Sequence, residues 1–272
     1  MITDLTLFAA AMFVFGLLVG SFANVVIWRF PRGESLNTPG SHCPSCGASV
    51  RWYDNIPVVS WILLRARCRS CGEPIASRYP AVEVLSALLW LTAALTYGVG
   101  AQSVIAGVFF WTLLILTFID LDTMRLPNPI VGTLALLGLA GAIVSQFTSN
   151  DWVPLTGAQN SPLLVALLGA ALGAGLSGGI AALYAGVRGR SGFGMGDVKL
   201  LGAMGFFLGP YVLLSLFIGS LFGAVVGIVT AARSGNGLAT KIPFGPFLAL
   251  GGIVAALVGP DVVRMYLALV TG

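Results

Sequence analysis

The chain has 272 residues, of which 57% are apolar and only 9% are charged, and its mean hydropathy is +0.94. Soluble domains carry about 25% charged residues, so this deficit excludes an ordinary water-soluble domain and points to a membrane protein. The formal net charge of +4 bears on membrane topology and gives no reason to invoke a nucleic-acid partner.

The first apolar run covers residues 5–27. It has the position of a signal peptide, but Asp4 is the only charge before it and it is long for such a segment. It reads as a retained spanning helix. Residues 28–79 then form a polar loop holding all four cysteines and seven arginines. Further apolar runs follow at 80–98, 101–119, 129–148, 161–187, 198–209, 211–231 and 245–268. Most are long enough to cross a bilayer. The sixth run is short, and Pro210 either separates it from the seventh or breaks a single helix. The pattern predicts an all-α polytopic membrane protein of about eight spans, or seven if those two runs are one, with a small loop domain on one side.

Basic residues set the orientation. Arg29, Arg32, Arg51, Arg65, Arg67, Arg69 and Arg78 lie in the long loop. Arg125 follows the third run, and Arg188, Arg190 and Lys199 flank the start of the sixth. Arg233 and Lys241 follow the seventh. With eight spans, all of these fall on one side and only Arg264 does not. That side is expected to be the cytoplasm, with both termini outside. The opposite turns are nearly uncharged, Asp151 being the exception. Small residues at helical spacing, Gly16/Gly20, Gly169/Gly173 and Gly219/Gly223/Gly227, predict close helix contacts.

The cysteines form two matched pairs, Cys43-Pro-Ser-Cys46 and Cys68-Arg-Ser-Cys71, separated by 21 residues. Two such knuckles present four thiolates in the arrangement a structural Zn²⁺ takes. Gly47 and Gly72 follow them and suit tight turns. Disulfides or a redox dithiol are the alternatives. A cytoplasmic location argues against the first, and two matched pairs argue against the second. The loop is poor in core residues, so metal binding would supply folding energy. Its apolar residues, Trp52 and Leu63 among them, are expected to pack on the knuckles or on the membrane interface, and the stretch 64–69, with three arginines, to face anionic headgroups.

Acidic residues near membrane depth are costly and point to function. Asp120 and Asp122 close the third run within Phe118-Ile-Asp-Leu-Asp-Thr-Met-Arg-Leu-Pro127. Asp197 opens the sixth, after the alternating Gly192, Gly194 and Gly196. Asp120 and Asp197 are predicted at the same depth, as a two-carboxylate site requires. Such a pair shares one proton and activates water against a peptide carbonyl. The plainer reading, capping or interfacial residues, applies best to Asp122. Glu83, three residues into the second run, either pairs with Arg78 or Arg29 or serves chemistry. A transporter also uses glycine-rich helices and buried acids, but no inverted repeat is evident and the cysteine loop would be unexplained. A non-enzymatic assembly scaffold is the other rival.

Taken together these strings resemble the type IV prepilin peptidase family. The resemblance rests on Gly20-Ser-Phe-Ala-Asn-Val-Val-Ile-Trp-Arg-Phe-Pro31, the cysteine loop with Trp52-Tyr-Asp-Asn-Ile-Pro57, and Ser77-Arg-Tyr-Pro-Ala-Val-Glu83. It continues through Ile119-Asp-Leu-Asp122 with Leu126-Pro127 and Gly194-Met-Gly-Asp197. It implies a GxGD aspartyl peptidase of the bacterial inner membrane with its active site facing the cytoplasm. Its substrates would be prepilins or type II secretion pseudopilins, which have a basic leader and an apolar N-terminal helix. Cleavage after glycine would be followed by N-methylation with S-adenosylmethionine. It implies catalytic roles for Asp120 and Asp197, with Asp122, Gly194, Gly196 and Glu83 in support. It divides the chain into 1–100, associated with methyl transfer, and 101–272, the peptidase core.

Overall fold

The computed structural model describes residues 2–148, 152–157, 161–189, 194–234 and 242–271. Asp151, Arg190, Gly192 and Lys241 lie outside the described residues, as does the side chain of Arg188. The regular elements among the described residues are helices: α1 (Ile2–Arg29), α2 (Val59–Leu63), α3 (Arg78–Tyr97), α4 (Ala101–Thr123), α5 (Asn128–Thr148), α6 (Pro162–Arg188), α7 (Met195–Leu208), α8 (Val212–Ser234) and α9 (Gly245–Thr271). Every apolar run of the sequence is a helix. Pairing outside helices among the described residues is limited to two isolated bridges in the cysteine loop.

By length and apolarity seven stretches are able to cross a membrane, with Met195–Arg233 counted as one. That stretch consists of α7 and α8, and they run in opposite senses. Along α6, Gly178 meets Val198, Gly173 meets Leu201 and Gly169 meets Gly205, so α7 descends antiparallel to it. Beyond the turn Val212 lies back at the level of Gly173. The reversal is local. Gly209 has φ +55°, and a Cβ there would lie 2.7 Å from Val165 Cγ1, which excludes other residues. Pro210 follows and cannot donate to the preceding helix. The freed carbonyls at the end of α7 are taken by the Leu155 amide at 2.7 Å and the Thr156 hydroxyl at 3.0 Å. At about 1.5 Å per residue α7 is about 21 Å long, shorter than a hydrocarbon core of about 30 Å. It is buried on nearly every face, as expected of a central helix that is apolar all round.

The chain forms two compact units, Met1–Ile115 and Leu116–Gly272, with the boundary inside α4. In the first, α1 and α3 pack antiparallel through the glycines singled out in the sequence. A Cβ on Gly16 would lie 2.6 Å from Ala87 Cα, and one on Gly20 2.8 Å from Glu83 Cα. Ser86 and Asn24 add hydrogen bonds across this seam, to the carbonyls of Gly16 and Tyr79. In the second, α8 and α9 pack antiparallel, Gly219 against Leu248 and Gly223 against Phe244. Outward faces carry exposed apolar side chains such as Leu136, Phe217 and Leu221. A lipid-facing surface accepts these without penalty.

Helix boundaries shift from the hydropathy runs at two places that matter. α4 continues through Asp120 and Asp122 to Thr123, and α7 begins at Met195. Asp197 therefore sits in the first turn of α7, where a carboxylate complements the helix dipole. Hydropathy ends at a charge, but helical hydrogen bonding does not.

Candidate active site and cysteine cluster

Asp120 is 5% exposed. Its Oδ2 accepts the backbone N–H of Gly245 at 2.9 Å, a buried bond that ties the last turns of α4 to the start of α9. Asp197 lies within electrostatic reach of Asp120. Its carboxylate folds back over the start of α7, where it accepts the Gly194 amide. Leu126 joins the parts: it packs against Gly196 on α7 and against Gly245 on α9. The structure thus brings together the acids that the sequence placed at one depth. Two carboxylates in each other's field at the edge of an apolar bundle favour holding one proton between them.

Asp122 is exposed. Two positions along a helix turn about 200°, so it faces away from Asp120. Gly194 and Gly196 both stand in close contacts. A Cβ on the first would lie 2.8 Å from Asp197 Oδ2, and one on the second 3.2 Å from Leu126 Cβ. Gly245 was missed by the sequence reading, although it stands between Pro243 and Pro246 at a helix start. The nearby pair of Lys199 Nζ and Asn128 Oδ1, at 3.0 Å, gave no sequence signal.

In the first unit the two knuckles have one structure, used twice. Cys43 donates its N–H to Ala48 O, and Gly47 donates to Cys43 O; Cys68 donates to Glu73 O, and Gly72 to Cys68 O. Gly47 and Gly72 have φ +70° and +74°, the left-handed turn expected of them. All four Sγ atoms lie within 4.8 Å of one another. The Cys43–Cys71 separation is 3.8 Å. A tetrahedral site with Zn–S of about 2.3 Å has edges of about 3.8 Å, so the donor set fits a metal ion. Backbone amides of Cys46 and Ser45 draw the Cys43 thiol down to about 6. At Cys71 the Glu73 amide pulls downward, but burial and the neighbouring thiols push it up to about 12. His42 stays outside the cluster, beside Gly40 O.

The loop is pinned at two further points. Asp54 takes a two-pronged bond from Arg69, at 2.8 and 2.6 Å, which holds its carboxyl below the usual range. Glu83, 8% exposed, accepts the Val58 N–H at 2.7 Å and bonds the Ser21 hydroxyl. Val58 has φ +62° and ψ −49°, a costly conformation for a β-branched residue. Arg29 is spent on the carbonyls of Ser35 and Gly40. Glu83 is thus the anchor of a strained turn.

Two family descriptions match the chain: the bacterial peptidase A24 N-terminal domain over residues 14–97, and the type IV leader peptidase family over residues 107–228. Among similar proteins, the prepilin leader peptidase/N-methyltransferase of Aeromonas hydrophila is 36% identical over 96% of this chain and 94% of its own length. Its Pseudomonas putida namesake is 36% identical over 92% and 90%, and that of Pseudomonas aeruginosa 34% over 96% and 93%. No solved structure matches significantly.

Proposed function

The chain belongs to the type IV leader peptidase family, and we propose that it removes the basic leader of type IV prepilins or pseudopilins after glycine and N-methylates the new terminus. It is a bacterial membrane protein. The distribution of basic residues supports placing it in the inner membrane with the reaction at the cytoplasmic face. The observation that carries the peptidase reading is the convergence of Asp120 and Asp197 through Gly245 and Leu126.

In this reading the ionised member of the pair takes a proton from water, and the water oxygen attacks the scissile carbonyl. The protonated member donates a hydrogen bond to the carbonyl oxygen as charge develops there. The proton taken from water then passes to the leaving amine, the C–N bond breaks, and the pair is left with one proton as before. Burial of Asp120 makes a shared proton worth holding, and the helix-end position lets water in.

The first unit carries the methylation role, with S-adenosylmethionine as donor. Glu83 acts there through the loop it holds, since its carboxylate is engaged by Val58 and Ser21. Cys43, Cys46, Cys68 and Cys71 hold a structural Zn²⁺, which fixes the two knuckles. A mass spectrum of a candidate pilin from cells with and without this protein tests the whole reading. Loss of the leader and one added methyl group are expected only when the protein is present. Processed pilin in its absence would refute it.

A further inference from the structure

The cysteine loop turns apolar side chains outward. Val59, Ile62 and Leu63 of α2 are 48, 61 and 76% exposed. They stand at i, i+3 and i+4, so they share one face of the helix. The rest of α2 makes the inward contacts. Ser60 is buried and its hydroxyl donates to Tyr53 O at 2.8 Å, while Trp61 Nε1 donates to Ile75 O at 3.0 Å. The knuckles therefore leave the apolar face of α2 uncovered.

Three hydrogen bonds fix the depth of this face. Two stretches that include α1 and α3, Thr3–Arg32 and Arg78–Tyr97, are long and apolar enough to cross a membrane. Glu83 lies about 7.5 Å along α3 from Arg78. Its carboxylate bonds Ser21 of α1, about 12 Å short of that helix's end at Arg29. The Val58 N–H, held to Glu83 at 2.7 Å, is thus carried below the ends of both helices. Phe22 and Leu85, near that level on α1 and α3, are themselves exposed and apolar. From Val58 the chain climbs back. Ile75, which takes the Trp61 indole, precedes the start of α3, and its N–H donates to Ala66 O at 2.7 Å. Arg65 and Arg67, both exposed, flank Ala66 and so lie just outside that start. On α1 the same boundary is marked by Trp28, with the Arg32 guanidinium 3.6 Å over its ring, as aromatic residues mark a membrane–water interface.

We propose that residues 58–67 are a membrane anchor lying in the interfacial layer of the bilayer. Val59, Ile62 and Leu63 enter the acyl chains of the leaflet on the side of the cysteine loop, and Arg65 and Arg67 meet the phosphates of anionic lipids above them. Interfacial helices bury their apolar face about 5–10 Å into this boundary, which is the depth at which Glu83 holds Val58. Arginines one turn further on, at headgroup level, match negative lipid charge. Arg69 takes no part, because Asp54 engages it. A water-soluble partner would have to reach α2 inside the bilayer, where lipid already stands. The anchor sets the height of the knuckles over the membrane, and it does not depend on the peptidase reading.

Photo-crosslinking tests this on the full chain in vesicles of equal parts phosphatidylcholine and phosphatidylglycerol. A photoreactive amino acid replaces one exposed side chain at a time: Leu63, Leu18 within the span of α1, or Asn37 beyond its end. Phospholipid adducts from Leu63 are expected at a yield like that from Leu18 and several-fold above that from Asn37. Adducts from Leu63 confined to protein, whether another part of this chain or a second copy, overturn the proposal. So does a lipid yield no higher than at Asn37. The Leu63 adducts should favour phosphatidylglycerol about twofold or more. Arg65→Gln together with Arg67→Gln should return that ratio to the vesicle's own while the total lipid yield holds. An unbiased ratio with both arginines present overturns the part given to them.

Discussion

Gly245 donates its amide to Asp120 Oδ2 at 2.9 Å, and a Cβ at Gly245 would stand 2.7 Å from that same oxygen. The glycine is needed because the carboxylate occupies the space of its missing side chain. In Gly245→Ala the yielding partner is the end of the Asp120 side chain, since backbone moves at higher cost. The fold should persist while the carboxylate turns away. Small misplacements at a reacting centre cost on the order of 10²-fold, so leader cleavage should fall about 10- to 100-fold. Cleavage assays at matched membrane levels check this. Wild-type cleavage by the variant would remove Gly245 from the site.

The cysteine cluster predicts about one equivalent of Zn²⁺ per chain, measured by elemental analysis of the purified protein. Cys46→Ser should lower the content and loosen residues 28–79 to proteolysis, because metal binding and loop folding are coupled. Acid should release the metal, since protons compete for the thiolates. With methylation assigned to the first unit, as proposed, it should suffer more than cleavage, because the loop and Glu83 belong to that unit. Stoichiometric zinc after loss of two of these cysteines would refute the assignment.

The asymmetry of basic residues predicts that both termini and the loop near Asp151 lie outside and residues 28–79 inside. Thiol labelling of a single cysteine introduced at Val50, with the native cysteines blocked, reads this directly. Label added to intact cells should not reach it. Labelling from outside would invert the topology and move the aspartate site to the other face.

The spans and the glycine seams were legible because lipid exposure and close helix contact act on composition and spacing, which a sequence displays. Gly16 and Gly20 against α3, and Gly169 and Gly173 against α7, follow from that logic. The knuckles were legible because Cys pairs with a following glycine leave few geometries. Gly245 was not, because its constraint comes from Asp120, 125 positions away. Nor was the role of Glu83. Its carboxylate goes to a backbone amide in a strained turn, and no pattern of side-chain types announces a backbone partner. The reversal between α7 and α8 was half legible: Pro210 marked a break, but the left-handed Gly209 decides its direction.

The aspartate pair gives the sharpest expectation. Asparagine at Asp120 or Asp197 keeps side-chain size but cannot cycle a proton. Each single substitution should therefore remove nearly all leader cleavage, on the order of 10²-fold or more. The double substitution should add little, because groups that act as a unit are not additive. Asp122→Asn should do much less, since that side chain is exposed and faces away from Asp120. Folding should survive in all of these. Asparagine at Asp120 still offers an oxygen to the Gly245 amide, and Asp197 lies in the first turn of α7, outside its apolar packing. Methylation of a pre-cleaved pilin should persist, which separates loss of chemistry from loss of structure. The measurement is cleavage of purified prepilin in detergent by matched amounts of each variant. If Asp122→Asn were inactive while Asp120→Asn cut normally, the assignment within the first motif would be wrong. If Asp197→Asn also cut normally, a two-carboxylate mechanism could not stand, because the remaining acid would have no partner with which to exchange the proton.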